Sequence, residues 1–153
     1  MGKILELLTV NIAVDSLDRT VPLYEHLGLE HVPPEVMADP PAEITDVSFP
    51  FPQGGAVSLI EPTSETSPVA RFLERRGPGV YSVAVRVDNL LEVMEEWRVR
   101  GLEWVLDEPY VFVDGGAVQY RVERLLMNWI KPKSLNGTML EVFEFQGDVR
   151  EHD

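Results

Sequence analysis

The sequence contains no cysteine. Disulfides, thiolate nucleophiles and cysteine-ligated zinc or iron–sulfur sites are therefore excluded, and a reducing compartment is compatible with the composition. No apolar run approaches the roughly 18 residues needed to span a bilayer. The opening MGKILELLTVNIAVD is broken by Glu6 and Asn11 and offers neither a long apolar core nor a small-residue cleavage site, so no signal peptide is expected. Basic residues are scarce: 13 Lys and Arg stand against 26 Asp and Glu, a net charge of −13. Such a field repels nucleic acid and anionic membrane, so neither is expected as a partner, and a cytoplasmic location is expected. There is no Gly-rich phosphate loop, Ser-His-Asp arrangement or dinucleotide fingerprint. Two short basic clusters, Arg71 with Arg75 and Arg76, and Lys131 with Lys133, leave open either a solvated surface or a local phosphate pocket.

What is present is the composition of a soluble globular protein, 44% apolar and 25% charged over 153 residues. An internal repeat organises it. Residues 9–30, TVNIAVDSLDRTVPLYEHLGLE, align without a gap on residues 82–103, SVAVRVDNLLEVMEEWRVRGLE, at a constant offset of 73. The identities are Val10/Val83, Val14/Val87, Asp15/Asp88, Leu17/Leu90, Gly28/Gly101, Leu29/Leu102 and Glu30/Glu103, and Tyr24/Trp97 keeps an aromatic. Each unit reads as a period-two strand, a polar pair able to cap a helix (Asp15-Ser16, Asp88-Asn89), helically spaced apolar residues, and a glycine stop. The helical stripes are Leu17, Val21, Tyr24 and Leu90, Met94, Trp97, whose aromatics are expected in the core.

Further strands are expected at Val47–Phe49 and Ala56–Ile60 in the first half, and at Trp104–Leu106, Val118–Val122, Leu126–Ile130 and Met139–Phe145 in the second. Prolines 33, 34, 40 and 41 mark a loop, and Asp114-Gly115-Gly116 and Asn136-Gly137 read as hairpin turns. Pro68 opens a short helix through Arg76 that Gly77-Pro78-Gly79 ends. The acidic tail Gly147–Asp153 is expected to fray. The pattern predicts an α+β chain of two βαβββ modules whose strands form a curled mixed sheet around a central cleft. The boundaries are 1–66 for the first module, 67–79 for the linker helix, 80–147 for the second module and 148–153 for the tail.

The paired strand–Asp–helix–Gly pattern resembles the vicinal oxygen chelate superfamily of glyoxalases, extradiol dioxygenases, antibiotic-resistance proteins and methylmalonyl-CoA epimerases. The epimerase branch is the nearest likeness, through SPVARFLERRGPGVYSVAVRVDN (67–89), VSLIEP (57–62) and KPKSLNGTMLEVFE (131–144). The resemblance implies four metal ligands on four strands, normally His, Gln or Glu. Carried over, they fall on Thr9, Ser82, Ser58 and Glu141. Thr9 and Ser82 are partners in the repeat, and aligning GGAVSLIE (54–61) with GTMLEVFE (137–144) pairs Ser58 with Glu141. Three of the four positions thus carry neutral alcohols. His26 and His31 lie in or just after the first helix, and His152 lies in the tail, so none replaces them. The expectation is no metal and no other cofactor.

Three hydroxyls around one carboxylate admit two uses. Thr9, Ser58 and Ser82 can satisfy Glu141, each other or water. Alternatively they bind a substrate carbonyl or hydroxyl while Glu141 serves as catalytic base. Further substrate-binding candidates are Tyr81 and Lys131, as donors to a developing oxyanion, and Trp104 and Trp129, as stacking surfaces. A second carboxylate, implied by the epimerase likeness on an early strand, falls near Glu43 or Asp46. The first functional expectation is a metal-independent isomerase, epimerase or lyase working through an enolate on an acyl-CoA or small oxo compound. The alternative is a non-catalytic drug- or metabolite-binding protein of the same fold, which the acidic charge suits. A further possibility is a non-catalytic subunit paired with an intact paralogue. A homodimer around a small-molecule ligand is the expected assembly.

Overall fold

The computed structural model describes residues 2–151. Its elements, in chain order, are β1 (Ile4–Ala13), α1 (Leu17–Glu25), β2 (Glu35–Met37), β3 (Ile44–Pro50), β4 (Ala56–Pro62), α2 (Pro68–Arg76), β5 (Gly79–Val87), α3 (Leu90–Val99), β6 (Tyr110–Ala117), β7 (Tyr120–Ile130), a 3-10 turn at Pro132–Leu135, and β8 (Met139–Glu151). This is the α+β class, with two successive βαβββ patterns and mixed parallel and antiparallel pairing. The chain divides into two compact units: a first unit, Thr9–Tyr81, and a second unit, Met1–Leu8 with Ser82–Asp153. Strand β1 contributes to both.

The first unit orders its strands β2-β3-β4-β1, with β1 and β4 parallel and the rest antiparallel. The second unit orders them β5-β8-β7-β6, with β5 and β8 parallel and the rest antiparallel. In both, the opening strand of the module lies beside the closing one. The sequence repeat is therefore a repeat of topology.

The helix signals act as read. Ser16 Oγ accepts from the Arg19 N–H at 3.2 Å, and Asn89 Oδ1 accepts from the Glu92 N–H at 3.1 Å, each satisfying an open donor of the first turn. Gly28 and Gly101 follow their helices with φ of 84° and 94°, a backbone region that favours glycine. On one face of its sheet the first unit packs Ile12, Val47, Phe49, Val57 and Leu59 against Leu17, Val21 and Tyr24 of α1. The second unit packs Val85, Val87, Leu126, Ile130 and Val142 against Leu90, Val93 and Met94 of α3. Tyr24 leans on Phe49 with ring centroids 5.7 Å apart, and Trp97 stacks on Trp104 at 5.7 Å, so both helix aromatics, partly buried, pack against the core.

A second repeated device sits at the helix starts. Glu144, near the middle of β8 and buried, accepts from the Leu90 N–H at 2.6 Å and is gripped on its other oxygen by the Gln146 amide. Glu61, near the end of β4, accepts from the Leu17 N–H at 3.2 Å. These glutamates are the ones paired when GGAVSLIE is aligned on GTMLEVFE. A carboxylate at a helix N-terminus meets unpaired N–H groups and the positive end of the helix dipole.

Four expectations need correction. Trp104–Leu106 is not a strand: Trp104 makes one isolated bridge to Ile130. The strand that precedes β7 is β6, and Asp114-Gly115-Gly116 lies inside it rather than at a turn. The turn falls at Val118-Gln119, with Val118 at φ 56°. Gly115 serves close packing instead, since a Cβ there would lie 2.9 Å from the Cβ of Phe112. Val118–Val122 and Leu126–Ile130 are not two strands, because β7 runs through Tyr120–Ile130 with a register shift between Val122 and Arg124. The tail does not fray as far as it is described: 147–151 continue β8, with Arg150 opposite Arg121 and Glu151 opposite Tyr120. His152 lies outside the described residues.

Glu144 supplies a test. Glu144→Ala strips a buried N–H of its acceptor, and is expected to cost about 1–3 kcal/mol in urea unfolding. Glu61→Ala, at a longer bond and a half-exposed site, is expected to cost less. Equal losses would contradict the assignment of Glu144 as the dominant cap.

Candidate functional site

Strand alternation places the candidates. In the first unit the residues facing α1 are Ile12, Val47, Phe49, Val57 and Leu59. The opposite parity therefore points to the other face: Thr9, Asn11 and Ala13 on β1, Asp46 and Ser48 on β3, Ser58 and Ile60 on β4. One end of that face is apolar, where Ala13, Ile44 and Ile60 meet Val69 of α2. The other end is polar and still buried, with Thr9, Asn11 and Ser48 each 4% exposed and Ser58 0%.

Thr9, Ser58 and Ser48 are bonded to one another. Thr9 Oγ1 lies 2.9 Å from Ser58 Oγ, and Ser58 Oγ lies 2.7 Å from Ser48 Oγ. Ser48 Oγ donates to Asp46 Oδ1 at 3.2 Å. Ser48 stands directly opposite Ser58 in the antiparallel pair, and Thr9, two residues before the Asn11 that stands opposite Ser58 in the parallel pair, reaches Ser58 diagonally on the same face. A continuous hydrogen-bonded line thus crosses three strands and ends on a carboxylate.

In the second unit the helix side carries Val85, Val87, Leu126, Ile130 and Val142. Ala84, Leu125, Met127, Trp129 and Phe143 occupy the opposite face. Ser82 and Glu141 share that parity. Glu141 stands in register with Ala84 on one side and Trp129 on the other. The Trp129 indole Nε1–H donates to Glu141 Oε1 at 2.9 Å, which fixes the carboxylate across the strand pair. Ser82 is 1% exposed and two residues before Ala84 on the same face.

Other candidates lie elsewhere. Trp104 is on the helix side of the second unit, its Nε1–H donating to the Met94 carbonyl at 3.0 Å. With Lys131 it lines a surface cavity of about 420 Å³, along with Arg98, Leu102, Glu103 and Asp107. The structure therefore joins Trp104 to Lys131 and Trp129 to Glu141, on opposite sides of that unit's sheet. Tyr81 belongs to the first unit, where its ring meets Phe72 of α2 edge-on at 5.2 Å. Of the two early carboxylates, Glu43 is engaged elsewhere. It sits at φ 51° and accepts from Thr66 Oγ1 at 2.6 Å and Ser64 Oγ at 2.8 Å. Those two hydroxyls hold its carboxyl below the ordinary carboxylate range. Asp46 is the one on the hydroxyl line.

Sequence reasoning missed Ser48 and Asn11 and left Asp46 undecided. The signal was available in part: Asp46 and Ser48 alternate with buried Val47 and Phe49, so the strand read from Val47–Phe49 already set their face.

The donor set does not suit a divalent ion. Thr9 and Ser58 are neutral alcohols, bonded to each other and, through Ser58, to Ser48. Glu141 is the one ionisable side chain among the four mapped positions, and among the described residues no three His, Cys, Asp or Glu side chains gather where they could hold a cation.

Comparison with known proteins now places this fold. The profile of the Glyoxalase/Bleomycin resistance protein/Dioxygenase superfamily matches residues 9–120, and the chain belongs to that superfamily. Among curated relatives, "Uncharacterized protein YqjC" of Bacillus subtilis (strain 168) is 29% identical over 148 residues, covering 94% of this chain and 96% of its own. Methylmalonyl-CoA epimerase from Mycobacterium tuberculosis superposes with a TM-score of 0.81 at 28% identity, over 94% of this chain and 90% of its own. A Streptomyces coelicolor methylmalonyl-CoA epimerase variant in complex with 2-nitronate-propionyl-CoA superposes at 0.78 and 22% identity, over 95% and 100%, a likeness of fold. Among the described residues no helix is long and apolar enough to cross a membrane.

The chemistry of the donor set predicts the outcome of a metal titration. Chelator-treated protein titrated with Mn²⁺, Co²⁺ or Zn²⁺ is expected to show no saturable uptake of one ion per chain in calorimetry. Tight stoichiometric binding that disappears in Glu141→Gln would contradict it.

Proposed function

We propose that this chain is a metal-independent isomerase or lyase of its superfamily, acting on an acyl-CoA or small oxo compound with Glu141 as the general base. The observation that carries the reading is the Glu141 carboxylate itself. It stands on the sheet face away from α3, oriented by the Trp129 indole N–H at 2.9 Å, with the hydroxyl of Ser82 on the same face. The likeness to methylmalonyl-CoA epimerases over nearly the whole chain supports the substrate class.

The chemistry is proton transfer at carbon. Glu141 removes the proton from the carbon beside a thioester or ketone carbonyl, and the C–H electron pair becomes the enolate. Return of a proton to the opposite face, from solvent water because Glu141 serves only its own face, inverts the centre, after which Glu141 gives its proton back to water. Loss of a β-leaving group, which departs with the electron pair and takes the proton from Glu141, instead gives the lyase outcome. The enolate oxygen needs hydrogen-bond donors, for which Ser82 is the candidate on the Glu141 face. Hydroxyl donors supply less charge stabilisation than a metal ion, so a substrate whose carbanion is already delocalised fits best. The protein is proposed to work as a cytoplasmic homodimer.

The test is exchange at carbon. Metal-stripped protein is incubated in D₂O with methylmalonyl-CoA and, separately, with a 2-oxo acid, and loss of the α-proton signal is followed by NMR. Exchange is expected with at least one of them, unaffected by chelator, and about 10²–10⁴-fold slower in Glu141→Gln. Saturable binding without exchange would transfer the chain to the ligand-sequestering reading that its −13 charge favours for cationic molecules. Exchange abolished by chelator would overturn metal independence.

A further inference from the structure

The hydroxyl line of the first unit has a direction, and the direction follows from counting protons. An ionised carboxylate only accepts, whereas each Ser or Thr hydroxyl has a single proton to give. Ser48 gives its proton to Asp46 at 3.2 Å. In its 2.7 Å contact with Ser58, Ser48 must then accept, and Ser58 donates. Ser58 has no second proton, so in its 2.9 Å contact with Thr9 it accepts and Thr9 donates. Thr9 Oγ1 also approaches the Val10 carbonyl, at the longer distance of 3.3 Å. The Thr9 proton, directed at Ser58 and shared with that carbonyl, is thus used within the protein. What Thr9 Oγ1 offers outward is a lone pair.

We infer that Asp46 is a positioning residue which, through Ser48 and Ser58, fixes Thr9 as a hydrogen-bond acceptor, so that the ligand group meeting Thr9 is a donor: a hydroxyl, an amine or an amide N–H. This rests on the reading of Thr9 and Ser58 as ligand-binding residues, and it chooses between the carbonyl and the hydroxyl which that reading leaves open. A carbonyl or enolate oxygen at Thr9 would set lone pair against lone pair. The oxyanion of the proposed reaction is therefore served from elsewhere, and the substrate carries a second polar group bearing a proton. Replacing the carboxylate by a carboxamide removes the constraint, because an amide N–H can donate to Ser48, reverse the line and release the Thr9 proton toward the ligand.

The direction is measurable without any substrate, so its failure is separable from failure of the proposed activity. The experiment is NMR of the full chain, ¹³C-labelled at Ser and Thr, detecting hydroxyl protons and their torsions from three-bond couplings to carbon. In the wild-type protein at neutral pH the Ser48, Ser58 and Thr9 hydroxyl protons are expected in slow exchange. The Ser48 proton should point at Asp46, the Ser58 proton at Ser48, and the Thr9 proton at Ser58. Asp46→Asn and Ser48→Ala are each expected to shift the Ser58 and Thr9 hydroxyl resonances while amide signals outside β1, β3 and β4 stay in place. If one variant does not fold, the other carries the test. A wild-type Ser58 proton directed at Thr9, hydroxyl protons in fast exchange, or Thr9 and Ser58 resonances unmoved by either variant would each overturn the inference. So would a ligand complex in which a carbonyl oxygen accepts from Thr9.

Discussion

A buried hydroxyl must find a partner, and in this chain the hydroxyls find one another. That constraint governs the site. Thr9, Ser58 and Ser48 lie on three adjacent strands at register positions where their oxygens come within 2.7–2.9 Å. Leaving any of them unpaired in a buried setting would cost on the order of 1–3 kcal/mol, comparable to a sizeable share of a domain's net stability. The polar end of the first unit's sheet is thus held together by hydrogen bonds anchored on Asp46.

The duplicated architecture separates scaffold from chemistry. Both units keep the same strand order, the same polar cap at the helix start, the same glycine stop, and a glutamate from the module's last strand seated on the first helical N–H. The difference that bears on chemistry lies on the sheet face turned away from the helix. There the first unit carries Ser58 bonded to Thr9, and the second carries Glu141 bonded to Trp129. Helix-facing residues must fill volume in both units, so they change little in character. Residues on the opposite face are free to diverge as far as hydrogen-bond pairing permits, and one unit presents hydroxyls where the other presents a carboxylate. The α+β class, the repeat and the membership of the superfamily describe the scaffold alone.

How far the sequence was legible follows from which rules are local. The helix boundaries were readable because Ser16, Asn89, Gly28 and Gly101 act within a turn of themselves. Strand β2 was not, since three residues among prolines carry no period. The 114–116 segment misled because Asp-Gly-Gly is ordinary turn chemistry, whereas here Gly115 is required by the approach of Phe112 and Leu125, which only the folded sheet reveals. Trp104 and Trp129 looked alike in sequence, yet parity and pairing send one to the helix side and the other to Glu141. Ser48 was invisible as a site residue because its importance lies in standing opposite Ser58. Cross-strand register is the information that short-range patterns lack.

The four positions mapped from the family pattern are proposed to act without a metal ion. Native mass spectrometry of freshly purified protein, with elemental analysis of the same sample, is the decisive measurement. The expected result is a chain mass with no bound divalent ion, and any retained organic ligand would carry a hydroxyl, amine or amide donor. One divalent ion per chain, retained through gel filtration and lost in Glu141→Gln, would contradict it.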